Sequence, residues 1–121
     1  EQANDEIMVV VMVETPTAIG NVREMMRVPN VDCVLIGPYD LSRSLGASAV
    51  TDDIVEDLVE EVASASKDTG VAAGYVTGSY ADAERRVKQG FRMVCPGHDI
   101  TAVRSGFTEM KNTLERLRKL G

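Results

Sequence analysis

Two apolar runs, each ending on a carboxylate, constrain this chain more than any other feature. "IMVVVMV" spans residues 7–13 and closes on Glu14, followed by Thr15 and Pro16. "VDCVLI" reaches Gly37-Pro38 and then sets down Asp40. Each run is too short to cross a membrane as a helix and too continuous for a half-exposed strand. The pattern predicts parallel strands covered on both faces, each delivering one acid at its C-terminal end.

Helical patterns follow each run. Thr15 reads as an N-cap with Pro16 at the first helical position. The helix it opens runs to about Arg27, with Ala18, Ile19, Val22, Met25 and Met26 as its apolar stripe. The second strand covers roughly Asp32 to Ile36, and its helix starts near Thr51. Asp52 and Asp53 lie in its first turn, Ile54, Val55, Leu58, Val59 and Val62 form one face, and Gly70 is the stop. A short third strand, "VAAGYV", precedes a helix capped by Ser79, with Asp82 three positions on and Gly90 at its end. The fourth strand covers Phe91 to Cys95. The last helix runs from about Ile100 to Leu120, although Gly106 weakens it by about 1 kcal/mol relative to Ala.

Four βα units imply a parallel sheet with right-handed crossovers. An open doubly wound sheet and a (β/α)₈ barrel both satisfy that pattern. The barrel is favoured because Glu14, Asp40, "GYVTGS" and "CPGHD" all fall at C-terminal strand ends, where such barrels build their sites. A full barrel takes about 250 residues. With 121 residues and four units, the expectation is a single partial domain over residues 1–121, half of a TIM (β/α)₈ barrel. The start at Glu1, without Met and almost directly on a strand, fits a piece of something longer.

Strand parity places Met8, Val10, Met12 and Glu14 on one face, so Glu14 points into the mouth of the barrel. Asp40 belongs to the neighbouring strand end. Two adjacent carboxylates repel unless a cation lies between them or one is protonated. A hard divalent cation such as Mg²⁺ or Mn²⁺ is held by one or two carboxylates and keeps further positions for water and substrate. A metal-free acid–base pair is the other chemical reading, and local helix capping is the non-functional one.

The remaining chemistry-bearing residues point elsewhere. His98, the only histidine, lies in the turn after the fourth strand, where a solvated loop is the simpler reading. Lys67, Lys88, Lys111 and Lys119 all fall on helices, so no strand offers a Schiff-base amine. Cys33 and Cys95 sit inside apolar runs without a basic partner and read as core residues of a reducing, cytoplasmic compartment. A net charge of −6 excludes a nucleic-acid footprint. No stretch is long enough for a membrane span. "GYVTGS" before a helix is a weak signal for a phosphate cradle.

The stretch "VMVETPTAIGNVREMMRVPNVDCVLIGPYDLSRSLG" resembles the HpcH/HpaI aldolase family of metal-dependent pyruvate aldolases, and is also similar to citrate lyase beta-subunit relatives. The resemblance is carried by "ET" joined to "GP-x-DLS" and covers residues 7–46 closely, with the later units looser. It implies the C-terminal half of a (β/α)₈ barrel. It also implies that Glu14 and Asp40 bind Mg²⁺, Mn²⁺ or Co²⁺, that backbone amides of Tyr39 and Asp40 hold a pyruvate carboxylate, and that Val76 looks into the substrate pocket. The implied reaction is retro-aldol cleavage of a 4-hydroxy-2-oxo acid, such as 2,4-dihydroxyhept-2-ene-1,7-dioate of aromatic catabolism, to pyruvate and an aldehyde.

Some members carry Gln where this chain has Met12, and the family's catalytic His and substrate-clamping Arg belong to the N-terminal half. No catalytic base is therefore assigned, and little or no turnover is expected from these residues alone. The bared sheet face is expected to meet a complementary N-terminal half-barrel or to self-associate into a homo-oligomer. An acyl-CoA lyase of the citrate lyase type and a non-catalytic anion-binding or assembly module are the alternatives.

Overall fold

The computed structural model describes residues 2–120, with residues 3 and 4 described by backbone alone. A short helix α1 (Gln2–Glu6) leads into β1 (Val10–Val13), α2 (Pro16–Gly20) and α3 (Val22–Met26). Then follow β2 (Cys33–Ile36), α4 (Pro38–Ser44), α5 (Asp53–Thr69), β3 (Ala72–Val76), α6 (Tyr80–Gln89), β4 (Met93–Cys95) and α7 (Asp99–Arg118). The four strands pair in parallel and in chain order, β1-β2-β3-β4.

The register sorts side chains into two faces. Val13, Ile36 and Tyr75 form one row, and Val34 and Ala73 belong to the row below it. All five are buried against Ile19, Val22 and Met26 of α2 and α3 and Val55, Val59, Val62 and Ala65 of α5. On the same side, the Arg86 guanidinium of α6 lies 4.1 Å over the Tyr75 ring. Helices α2, α3, α5 and α6 thus cover one face, the arrangement of a barrel wall rather than an open two-sided sheet.

The opposite face carries Val10, Met12, Cys33, Leu35, Gly74 and Met93. Leu35 and Cys33 close over Gly74, where a Cβ would lie 2.9 Å from Leu35 Cδ1 and 3.1 Å from Cys33 Sγ. Towards β1 the face opens, with Met8 57% and Met12 54% exposed. α7 buries none of its residues and leaves Ile100, Val103, Phe107, Met110, Leu114 and Leu117 in solvent.

Several local expectations change. Residues 7–9 lie outside the strand, and the Val9 N–H donates to the Asp32 carboxylate at 2.8 Å. The helix expected from Thr15 to Arg27 breaks at Asn21, after the poor helix former Gly20, and its side-chain amide donates to Thr17 O. α4 was not anticipated: with Pro38, Leu41 and Ser42 as its buried residues, it has too little apolar periodicity to read. Asp52 caps backwards, its carboxylate accepting from the N–H groups of Ser48 and Ala49. α7 is continuous through Gly106. The caps at Thr15 and Ser79 form as expected, accepting from the N–H groups of Ala18 and Asp82. Gly70 and Gly90 end their helices with φ of 77° and 105°, which Gly adopts without Cβ strain.

Candidate active site at the C-terminal ends of the strands

Continuing the strand register by one residue places Glu14, Gly37, Val76 and Cys95 in a single row across the mouth of the sheet. Strand alternation sends this row to the open face. Glu14 therefore neighbours a residue without a side chain, and its carboxylate lies in the space above Gly37. A Cβ on Gly37 would come within 2.8 Å of Glu14 Cγ and 3.0 Å of Glu14 Cδ. The Glu14 backbone is tied from the other side, its carbonyl accepting from Ser44 Oγ at 3.1 Å.

Gly37 also turns the chain into α4. Its N–H donates to Val13 O, and its carbonyl accepts from the Leu41 N–H at 3.0 Å. That bond is the first of the helix, so the N–H groups of Tyr39 and Asp40 have no partner within α4. Pro38 at the start of α4 has no N–H to satisfy. Glu14, Asp40, Tyr39 and Val76 all line one cavity of about 160 Å³, together with Met12, Gly37 and Pro38. The sequence-predicted site residues are thus brought to one place, on one side of the sheet.

Within the described residues, no ion pair engages Glu14 or Asp40. Nor does any group of three or more His, Cys, Asp or Glu side chains stand close enough to hold a metal ion. The donor set at the cavity is two carboxylates. That set fits a hard divalent cation that keeps water and substrate oxygens in its remaining positions, and does not fit a closed all-protein metal cage.

His98 is not part of this group. It is exposed and lines a separate cleft with Gly78, Ser79, Tyr80 and Thr101. Its N–H donates to Thr101 Oγ1 at 3.0 Å, and the Thr101 hydroxyl returns a bond to His98 O. Those bonds belong to the start of α7. The "GYVTGS" turn is tied to the fourth strand, since the N–H and hydroxyl of Thr77 both donate to Cys95 O. Burial pushes the Cys33 thiol up despite Arg92 nearby, so it is neutral at physiological pH and packs as a core group.

Two features escaped the sequence reading. Gly37 was noted only as the residue that the second apolar run reaches, although a Gly at a strand end can mark close approach of another group. Arg86 was not singled out, yet it is buried. Its guanidinium donates to both Glu56 carboxylate oxygens at 2.7 Å and to the Tyr75 hydroxyl at 3.0 Å. Its helix position gives no hint of this, because the partners come from α5 and β3.

Consecutive parallel βα units, helices gathered on one face and an acid pair at the strand mouths define a TIM-barrel-like protein with its site where that fold places one. The family model for HpcH/HpaI aldolase/citrate lyase matches residues 1–106, and the chain belongs to that family. It is 31% identical over 109 residues to a hydroxypyruvate/pyruvate aldolase of Chromohalobacter salexigens, covering 89% of this chain and 43% of the relative. It is 35% identical over 102 residues to a 2-keto-3-deoxy-L-rhamnonate aldolase of Klebsiella pneumoniae, covering 81% of this chain and 37% of the relative. The crystal structure of a HpcH/HpaI aldolase/citrate lyase family protein from Burkholderia cenocepacia superposes with a TM-score of 0.86 at 30% identity. That match covers 96% of this chain and 44% of the other. The chain thus spans less than half the length of these relatives.

Proposed function

We propose that these residues form the metal- and pyruvate-holding half of a carbon–carbon lyase that cleaves a 4-hydroxy-2-oxo acid to pyruvate and an aldehyde. The observation that carries this reading is the shared cavity of Glu14 and Asp40, with Glu14 seated over Gly37. Family membership and relatives named as aldolases of pyruvate and of keto-deoxy sugar acids support it.

Glu14 and Asp40 supply the two anionic oxygens for a divalent cation. When bound, that cation supplies Lewis-acid stabilisation of the charge that develops on the 2-oxo oxygen as the C3–C4 bond breaks. The free N–H groups of Tyr39 and Asp40 bind the substrate carboxylate. Met12 and Val76 present apolar surface to the carbon that becomes the pyruvate methyl group. Among the described residues, no His or Lys lines the cavity. In this reading the base that takes the 4-hydroxyl proton belongs to a complementary N-terminal half-barrel, which also covers Met8 and Met12. A second copy of the chain is the other cover for that face.

Mn²⁺ titration of the parent and of Glu14→Gln and Asp40→Asn tests the reading. The parent is expected to bind one ion, and each variant to lose most of that affinity. Residues 1–121 alone are expected to show little retro-aldol turnover even when loaded. A parent that binds no divalent cation, or two variants that bind as well as the parent, sinks the proposal.

A further inference from the structure

Beyond its backbone N–H, Tyr39 brings a side chain to the mouth of the cavity. Tyr39 stands at the start of α4, yet its hydroxyl reaches the loop after β3. A Cβ built on Gly78 would lie 3.0 Å from Tyr39 Oη. The phenol therefore spans the mouth from the β2–α4 turn to the β3–α6 turn, and the missing side chain at residue 78 leaves room for it. The ring walls the cavity that holds Glu14 and Asp40, beside Val76. Tyr39 nevertheless remains 53% exposed, so the residue stays open to solvent at the mouth and is not packed into the core.

We infer that Tyr39 is a specificity-determining residue whose hydroxyl hydrogen-bonds an oxygen on the aldehyde-derived part of the substrate. This rests on the proposed aldolase reading and narrows its substrate class to hydroxylated 4-hydroxy-2-oxo acids. With the carboxylate and 2-oxo group held at the acid pair and the α4 amides, the rest of the substrate leaves the cavity past the phenol. A substrate hydroxyl there gains a partner that also donates or accepts. A substrate with only CH₂ groups at that place leaves the phenol to water.

The test uses the whole polypeptide that carries these residues, loaded with Mn²⁺. The probes are a 4-hydroxy-2-oxo acid bearing hydroxyls beyond C4 and its counterpart lacking them, and the readout is the ratio of their kcat/KM values. Tyr39→Phe is expected to lower that ratio about five- to tenfold, the loss of one uncharged hydrogen bond. Gly78→Ala, which keeps the phenol but pushes it aside, is expected to lower it in the same direction. Parent-like ratios in both variants overturn the inference while leaving the aldolase reading intact. Mn²⁺-dependent cleavage of neither probe by the parent overturns the aldolase reading, and this inference with it.

Discussion

The Glu14 side chain occupies the space that a side chain on Gly37 would fill, coming within 2.8 Å of a Cβ built there. Gly37 has φ −95° and ψ 91°, an extended conformation open to any residue. Its lack of a side chain thus matters for Glu14, not for the backbone. Gly37→Ala is expected to weaken Mn²⁺ binding by ~10–100-fold, the usual cost of disturbing the support of a metal ligand. The thermal midpoint should change far less. Calorimetric titration that returns the parental affinity would show that Glu14 has another seat.

Arg86 is expected to hold α5, α6 and β3 together. Its side chain is 1% exposed and meets a Glu56 carboxylate that is 19% exposed. Arg86→Leu leaves the largely enclosed Glu56 with Arg85 as its remaining cation and the Tyr75 hydroxyl without its donor. Urea unfolding should show a loss of about 3 kcal/mol, as for other broken buried pairs. A loss below about 1 kcal/mol would mean that water replaces the guanidinium at no cost.

The same cluster sets an acid limit. Burial pushes the Glu56 carboxyl up, but hydrogen bonds and charge from Arg86 and Arg85 outweigh it and hold the group below its ordinary 4.5. The folded chain therefore binds fewer protons than the unfolded chain in that range. The stabilisation is present above pH 4.5 and is lost as pH falls through the depressed value. Glu56→Gln should be less stable at neutral pH and show a flatter acid limb in a thermal-melt series. An unchanged limb would assign acid unfolding to other carboxylates.

At the alkaline end, burial pushes the Tyr75 hydroxyl up from 10.0 to about 12. The folded state keeps a proton there that the unfolded state releases, so stability falls as pH rises between those values. Tyr75→Phe should remove that part of the alkaline decline in the same melt series. A decline as steep as the parent's would place its origin elsewhere.

Exposed apolar surface predicts association. The open sheet face carries Met12, Met8 is exposed just ahead of β1, and α7 presents Ile100, Val103, Phe107, Met110, Leu114 and Leu117 in a continuous 3-4-3-4-3 stripe. Light scattering should give a mass above that of one chain, and Met12→Lys together with Phe107→Lys should reduce it. A monodisperse single chain at high concentration would count against this expectation.

What the sequence determined by itself was local or periodic. Continuous β-branched runs, Thr15 and Ser79 as caps, and Gly70 and Gly90 as stops defined the βα units, because these signals act within a few residues of one another. The placement of Glu14 and Asp40 at neighbouring strand ends followed from that alternation. Only the tertiary structure decided that Glu14 rests on Gly37, that Tyr39 reaches Gly78, and that Arg86 is buried against Glu56. Each of these pairs joins residues from different units. Strand register and helix docking set their meeting, and neither is written in any short stretch of chain.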